Sequence, residues 1–273
     1  MPTAPAQATP ETLLGRNSEE RLTDRPSDSH KGEQPRSSIQ AAQRRDHRFF
    51  MTMTILAAAW VFVGYSQTYY LKAWVPSPQL ATLIHIHAAV FTTYLLLYIL
   101  QTALVSMRRT ALHMTLGWAS VVLIPIMALL GTAAVFWSAK QGHKIVWPDV
   151  EIAAAVNLGD GYTFAVLAAA GILLRKKPQA HKRLMLTSLY GGLIPPAMER
   201  TPLHNFGGLA IFPTIFAFLL AGPVYDLITR RRIHPAYLWS LFFIVAFFVP
   251  TRLAIGHTQA WHHFVDWVIV TVN

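Results

Sequence analysis

The stretch Arg108–Trp137, "RRTALHMTLGWASVVLIPIMALLGTAAVFW", decides the architecture. Two adjacent cations open a run that contains no Asp, Glu, Lys or Arg until Lys140. A helix needs about 20 apolar residues to cross roughly 30 Å of hydrocarbon, and this run is longer than that. Working outward, the same pattern recurs, and spans are expected at about 49–71, 80–106, 113–137, 152–174, 183–199, 206–227 and 235–255. The expected fold is therefore all-α, a polytopic transmembrane bundle of about seven spans. The fifth is short and ends in "IPPAMER", where Pro195 and Pro196 should break or kink it. The closing "AWHHFVDWVIVTVN" is too short to span and is expected to lie at the interface, with Trp261 and Trp267 in the aromatic belt.

Composition agrees. Hydrophobic residues make up 53% of the 273 and charged ones 13%, against about 25% charged in a soluble domain. Cysteine is absent, which excludes disulfides, thiolate metal sites and cysteine nucleophiles. The net charge of +10 suggests nucleic acid until the cations are placed. With the N-terminus inside, 18 of the 23 Lys and Arg fall in the tail and the cytoplasmic loops. That asymmetry predicts an N-in, C-out protein of a bacterial inner membrane. The basic clusters then face anionic lipid, and nucleic acid is excluded as a partner.

Residues 1–46 are rich in Pro, Ser, Thr, Gln and mixed charge and nearly free of aromatics. They are expected to form a disordered cytoplasmic tail, a candidate element for binding a membrane or cytoplasmic protein. They contain no apolar h-region of a signal peptide. Residues 47–273 form the transmembrane helical domain.

Four places could carry chemistry. "RRTALHMTLG" and "KKPQAHKRLM" each put three residues between two cations and a histidine, His113 or His181. His113 shares a helical face with Gly117, Ser120, Gly131 and Ser138, and His181 with Met185, Ser188 and Gly192. Small residues let another helix, or a flat porphyrin, come close. The alternative is that each histidine caps its helix or meets headgroups. In "QLATLIHIHAAVF", His85 and His87 point about 200° apart on a helix. His87 continues into Tyr94, Tyr98 and Gln101, a polar stripe expected to face the bundle interior. Asp160, in "VNLGDGYTF", is the one carboxylate well inside a span and at the depth of His87. It is either a functional group, expected beside His87, or a structural hydrogen-bond partner. Glu199, Arg200, His204 and Arg252 collect at the outer rim. The arginines there either bind carboxylates or anchor the interface. No Walker loop, dinucleotide fingerprint, nucleophile elbow or zincin helix is present, and no catalytic or metal residue is assigned.

The ordered "HIHAAVF", "LHMTLGW", "AHKRLM" and "RRRIHPAYLW" resemble a family of uncharacterised bacterial multi-pass membrane proteins, over nearly everything after residue 47. "LHMTLGW" and "AHKRLM" are more faintly similar to proteins with the cytochrome b561 fold. That resemblance implies a four-helix core with one haem in each leaflet, and an electron-transfer role. It implies haem b held by His113 and His181 on the cytoplasmic side. On the outer side span two offers His87 or His85, whereas span four has only Asn157 and Asp160 and departs from the pattern. The other functional class is a transporter or channel-like protein using His87, Tyr94, Asp160 and Glu199. The third is a non-catalytic accessory subunit.

Overall fold

The computed structural model describes residues 33–75 and 79–271. Among the described residues every regular element is helical. The helices are α1 (Glu33–Tyr65), α2 (Thr82–Ser106), α3 (Thr110–Lys140), α4 (Val150–Leu173), α5 (Pro178–Ser188), α6 (Pro195–Met198), α7 (Gly208–Arg230), α8 (Pro235–Leu241), α9 (Val249–Gly256) and α10 (Gln259–Thr271). Three π-helical turns extend or join them, at Ser66–Tyr70, Leu189–Leu193 and Phe242–Phe248.

The chain divides into two compact units, residues 1–45 and 46–273. The first 32 residues of the expected tail lie outside the described residues. From Glu33 the chain is already helical, as its Gln, Ala and Arg content favours. Every candidate site residue lies in the second unit.

Among the described residues, six helical segments are long and apolar enough to cross a membrane, which fits an integral multi-pass membrane protein. Large side chains on their outer faces are left open, among them Leu129, Leu173, Ile228 and Trp239, each more than two-thirds exposed. In water such a surface would be costly; in lipid it is the expected one. α4 is the hub, 61% buried over its apolar window against 12–22% for the other five.

The expected fifth span is a special case. It is not one helix but α5, a π-turn and α6, interrupted at Ile194 ahead of the two prolines. Proline lacks the amide needed to continue the ladder, so the break falls where the sequence placed it. This broken pass is buried along most of its length between α4, α7 and the α8–α9 pass. It can be so because its Gly191–Gly192 step removes side chains where helices meet. A Cβ on Gly192 would strike the carbonyl oxygen of Asp160 and the amide of Phe164, both on α4.

Local signals set the helix starts. Asp149 Oδ1 accepts from the amide of Ile152, 2.8 Å, and opens α4. Pro178 and Pro235 stand in the first turns of α5 and α8. His234 Nδ1 accepts from the amide of Ala236, 3.1 Å, and caps α8. Arg108 and Arg231 close α2 and α7 with φ of 61° and 58°. α10 is not an isolated surface helix. It packs Val265 against Ala139 and Ala154, and Trp261 donates through Nε1 to the carbonyl of Glu151, 2.7 Å.

The loops α2–α3, α4–α5 and α7–α8 hold Arg108, Arg109, Arg175, Lys176, Lys177, Arg231 and Arg232 and define a cation-rich end. There Arg183, 1% exposed, forms a two-pronged ion pair with Asp226, at 2.8 Å from Nε to Oδ2 and 2.5 Å from Nη2 to Oδ1. Asp226 also accepts from the amide of His234, 3.1 Å. Arg183 donates to the carbonyl and the side-chain oxygen of Gln179, at 2.7 and 2.8 Å, and lies over the Tyr237 ring. Beside it, Asp46 takes Lys182 at 2.5 Å, Arg230 at 2.6 Å and the Tyr225 hydroxyl at 2.8 Å. Burial and the Arg183 charge push the His234 imidazole below its ordinary pKa, consistent with its role as an acceptor.

The close approach at Gly192 can be tested against an open glycine. Gly192→Val overpacks the α4 contact and should destabilise the detergent-purified protein by roughly 1–3 kcal/mol, read as a lower melting temperature. Gly117→Ala, where a Cβ meets nothing within 4 Å, should leave it unchanged.

Candidate functional site

The expected site residues fall into three places. The first is at the cation-rich end. α3 and α5 bring His113 and His181 together, ring centroids 6.2 Å apart and nearly perpendicular. His181 donates through Nδ1 to the carbonyl of Gly171 on α4, 2.8 Å, which leaves Nε2 as the ring nitrogen not held by that bond. At His113 the hydrogen-bond network turns the Gln101 carboxamide of α2 so that its nitrogen donates to Nδ1. The proton of His113 then sits on Nε2.

Haem between these rings is a question of fit. The ring spacing suits one iron with an imidazole on each face. The surroundings do not suit a macrocycle. The stripe below His181, which a porphyrin would need clear, is filled: Gly192 meets the backbone of α4, and the Met185 sulfur takes the space that a Cβ on Gly171 would need. Among the described residues no group of three or more His, Asp or Glu is placed to hold a metal ion.

The second place is the ion pair of Asp160 with Arg252. Asp160 is 1% exposed and was expected beside His87. It turns instead to the α8–α9 pass, where Arg252 Nη1 donates to its carboxylate and also to the carbonyl of Val156, 3.3 Å. The physical reason is charge: a buried carboxylate gains more from a guanidinium than from a neutral imidazole. Arg252 fits because Gly159 has no side chain, and a Cβ there would lie 2.5 Å from Arg252 Cδ. Arg252 Nε remains buried without a partner. Tyr94 is likewise core, 1% exposed, edge-on to Phe164 at 5.1 Å, its hydroxyl unpaired.

The third place is a cavity of about 720 Å³ toward the end opposite the cation-rich loops. Its walls come from α1, α2, α3, α4 and the broken pass. His87 stacks on Phe91, centroids 4.0 Å apart, and lines it with Nδ1 buried and unpaired. Met127, Gly131, Val135 and Phe164 form an apolar floor, and Asn157, Tyr162, Glu199 and Arg200 add polar groups. Glu199, 3% exposed, accepts from Trp147 Nε1 at 3.2 Å. Arg200 donates to the carbonyl of Pro196, 2.6 Å, and lies 5.1 Å over the Tyr65 ring. The Tyr70 hydroxyl and Thr92 Oγ1, 2.9 Å apart, tie the end of the first pass to α2 beside the cavity.

His85 and His204 are brought to none of these. His85 is exposed and tilted against Tyr69, and His204 is exposed with Nδ1 on the Thr201 carbonyl, 2.8 Å. Sequence reasoning missed Arg183 and Asp226, although the Asp226–Arg230 spacing of four residues at a span end was a visible signal. It missed Trp147, which only the fold brings to Glu199.

Removing one member of the Asp160–Arg252 pair leaves the other charge uncompensated. Arg252→Leu should cost roughly 3–5 kcal/mol, read as a fall in melting temperature. Arg252→Leu combined with Asp160→Leu should recover most of it.

No protein-family model matches the chain, and neither a curated protein nor a solved structure matches it. The functional reading therefore rests on the geometry of these three places.

Proposed function

We propose that this chain is a transporter-like membrane protein whose ligand site is the cavity between α1, α2, α3, α4 and the broken pass. One observation carries the reading: an apolar cavity of about 720 Å³ on which His87, Asn157, Glu199 and Arg200 converge. Its size lies within the roughly 300–1,000 Å³ typical of small-molecule sites, and a few placed polar groups in an apolar lining are their usual chemistry. The interrupted pass supports it. Gly192, Leu193 and Pro196, on either side of the break at Ile194, line the cavity, and discontinuous helices at substrate sites are a recurring device of transporters. In this reading the cation-rich loops face the cytoplasm of an inner membrane and the cavity belongs to the outer leaflet, with the N-terminus in and the C-terminus out. The ion pairs at Asp160 and Asp226 hold the helices that frame it.

The test uses a dansyl-labelled undecyl chain ending in a carboxylate, an alcohol or an amine, with protein in phosphatidylcholine nanodiscs. Trp137 lines the cavity and serves as energy-transfer donor. At least one probe should give saturable transfer, and Gly131→Phe, which fills the floor, should weaken it at least about tenfold. Non-saturable transfer with all three probes ends the reading.

Haem bound by His113 and His181 is the second reading: their 6.2 Å spacing favours it, and the closed packing at Gly192 and Met185 stands against it. Bound haem would supply one-electron chemistry. A reducible Soret band in the purified protein, lost in both His113→Ala and His181→Ala, selects it. A colourless protein after expression with added haem precursor removes it.

A further inference from the structure

Resting on the cavity reading, the charges around it name a ligand class. Two cations stand at its polar side, Arg200 and Lys144, and both line it. Arg200 spends one nitrogen on the Pro196 carbonyl, and Lys144 Nζ donates to the Pro148 carbonyl at 2.8 Å. Neither has a carboxylate within 4.0 Å among the described residues. Lys144 is exposed, but Arg200 is half-buried, and elsewhere this chain pairs its inward cations. Arg183, Lys182 and Arg252 are each neutralised by an aspartate.

The nearest carboxylate in sequence, Glu199, does not fill the role. Though adjacent to Arg200 and itself part of the cavity wall, it is buried and takes a neutral donor, Trp147. His143 also lines the cavity, but burial and the Arg200 charge push its imidazole below the ordinary value. It adds no third cation at neutral pH. Charge at the polar side is therefore carried by a guanidinium, whose flat fork matches a carboxylate, and by a lysine, with the Trp147-held Glu199 carboxyl also in the lining. The floor is apolar and aromatic.

We infer that the cavity binds a single-chain anionic amphiphile, a long-chain carboxylic acid, with its head on Arg200 and Lys144 and its tail over Phe91 and Gly131. The size supports one chain. Partial burial strengthens the attraction of head to guanidinium, and the aromatic lining suits a flexible tail.

The same three probes separate this from the cavity reading itself. The acid should bind at least roughly tenfold more tightly than the alcohol, as a charge-assisted hydrogen bond to a guanidinium provides. The double variant Arg200→Gln with Lys144→Gln should bring the acid to the level of the alcohol and leave the alcohol unchanged. Glu199→Gln should leave acid binding intact or tighten it. Equal binding of acid and alcohol overturns the inference while the cavity reading stands. So does tightest binding of the amine, lost in Glu199→Gln, which would mark a cationic ligand. Saturable binding of none of the probes overturns both.

Discussion

The buried pair of Arg183 with Asp226 is the interaction on which the arrangement depends. Two full charges at 1% exposure are tolerable only because each is satisfied several times over. Arg183 reaches both carboxylate oxygens and Gln179, and Asp226 also receives the His234 amide. The desolvation cost of such a pair commonly equals its attraction, so its contribution is better described as placement than as stability. It joins the start of the broken pass to the end of α7 and to the first turn of α8. Those three elements could not otherwise be registered by apolar contact alone, since in lipid an apolar face has no preference for a neighbouring helix over an acyl chain.

From that anchor the broken pass runs through the middle of the bundle and changes character. Near Arg183 it is an ordinary α-helix. At Gly191–Gly192 it comes against α4 closely enough to exclude a methyl group. Past Ile194 it turns into the cavity wall and delivers Glu199 and Arg200 in adjacent positions with opposite surroundings. One end of the molecule thus pairs its buried charges, and the other holds a half-buried arginine without a carboxylate partner beside apolar space. The same chain segment supplies a member to each.

Much of the helix pattern was legible from hydropathy, because a crossing helix must be long and apolar whatever it touches. α2, α3, α4 and α7 begin and end within a few residues of the expected spans. The fifth span was legible as broken, since proline acts on its own backbone. Partner choice was not legible. Helical phase put Tyr94 inside and paired His113 with His181 at one end, but phase alone does not say whether small residues face a porphyrin or a helix. Packing of Gly192 on α4 decided that for α5. Depth placed Asp160 level with His87, but its partner, Arg252, lies 92 residues on in sequence. That pairing follows from which helix stands behind α4, and no local signal carries it.

The π-turn at Phe242–Phe248 bears on Arg252 in a way that concerns phase. A π-helical turn holds one residue more than the α-helical ladder would. Each residue advances an α-helix by about 100°. Everything C-terminal to the turn is therefore rotated by about that angle relative to an uninterrupted helix starting at Pro235. The surplus residue, far from the carboxylate it serves, aims the guanidinium at α4. A chain shorter by one residue anywhere in that turn would keep its composition, its hydropathy and its arginine, and would point the arginine away from Asp160.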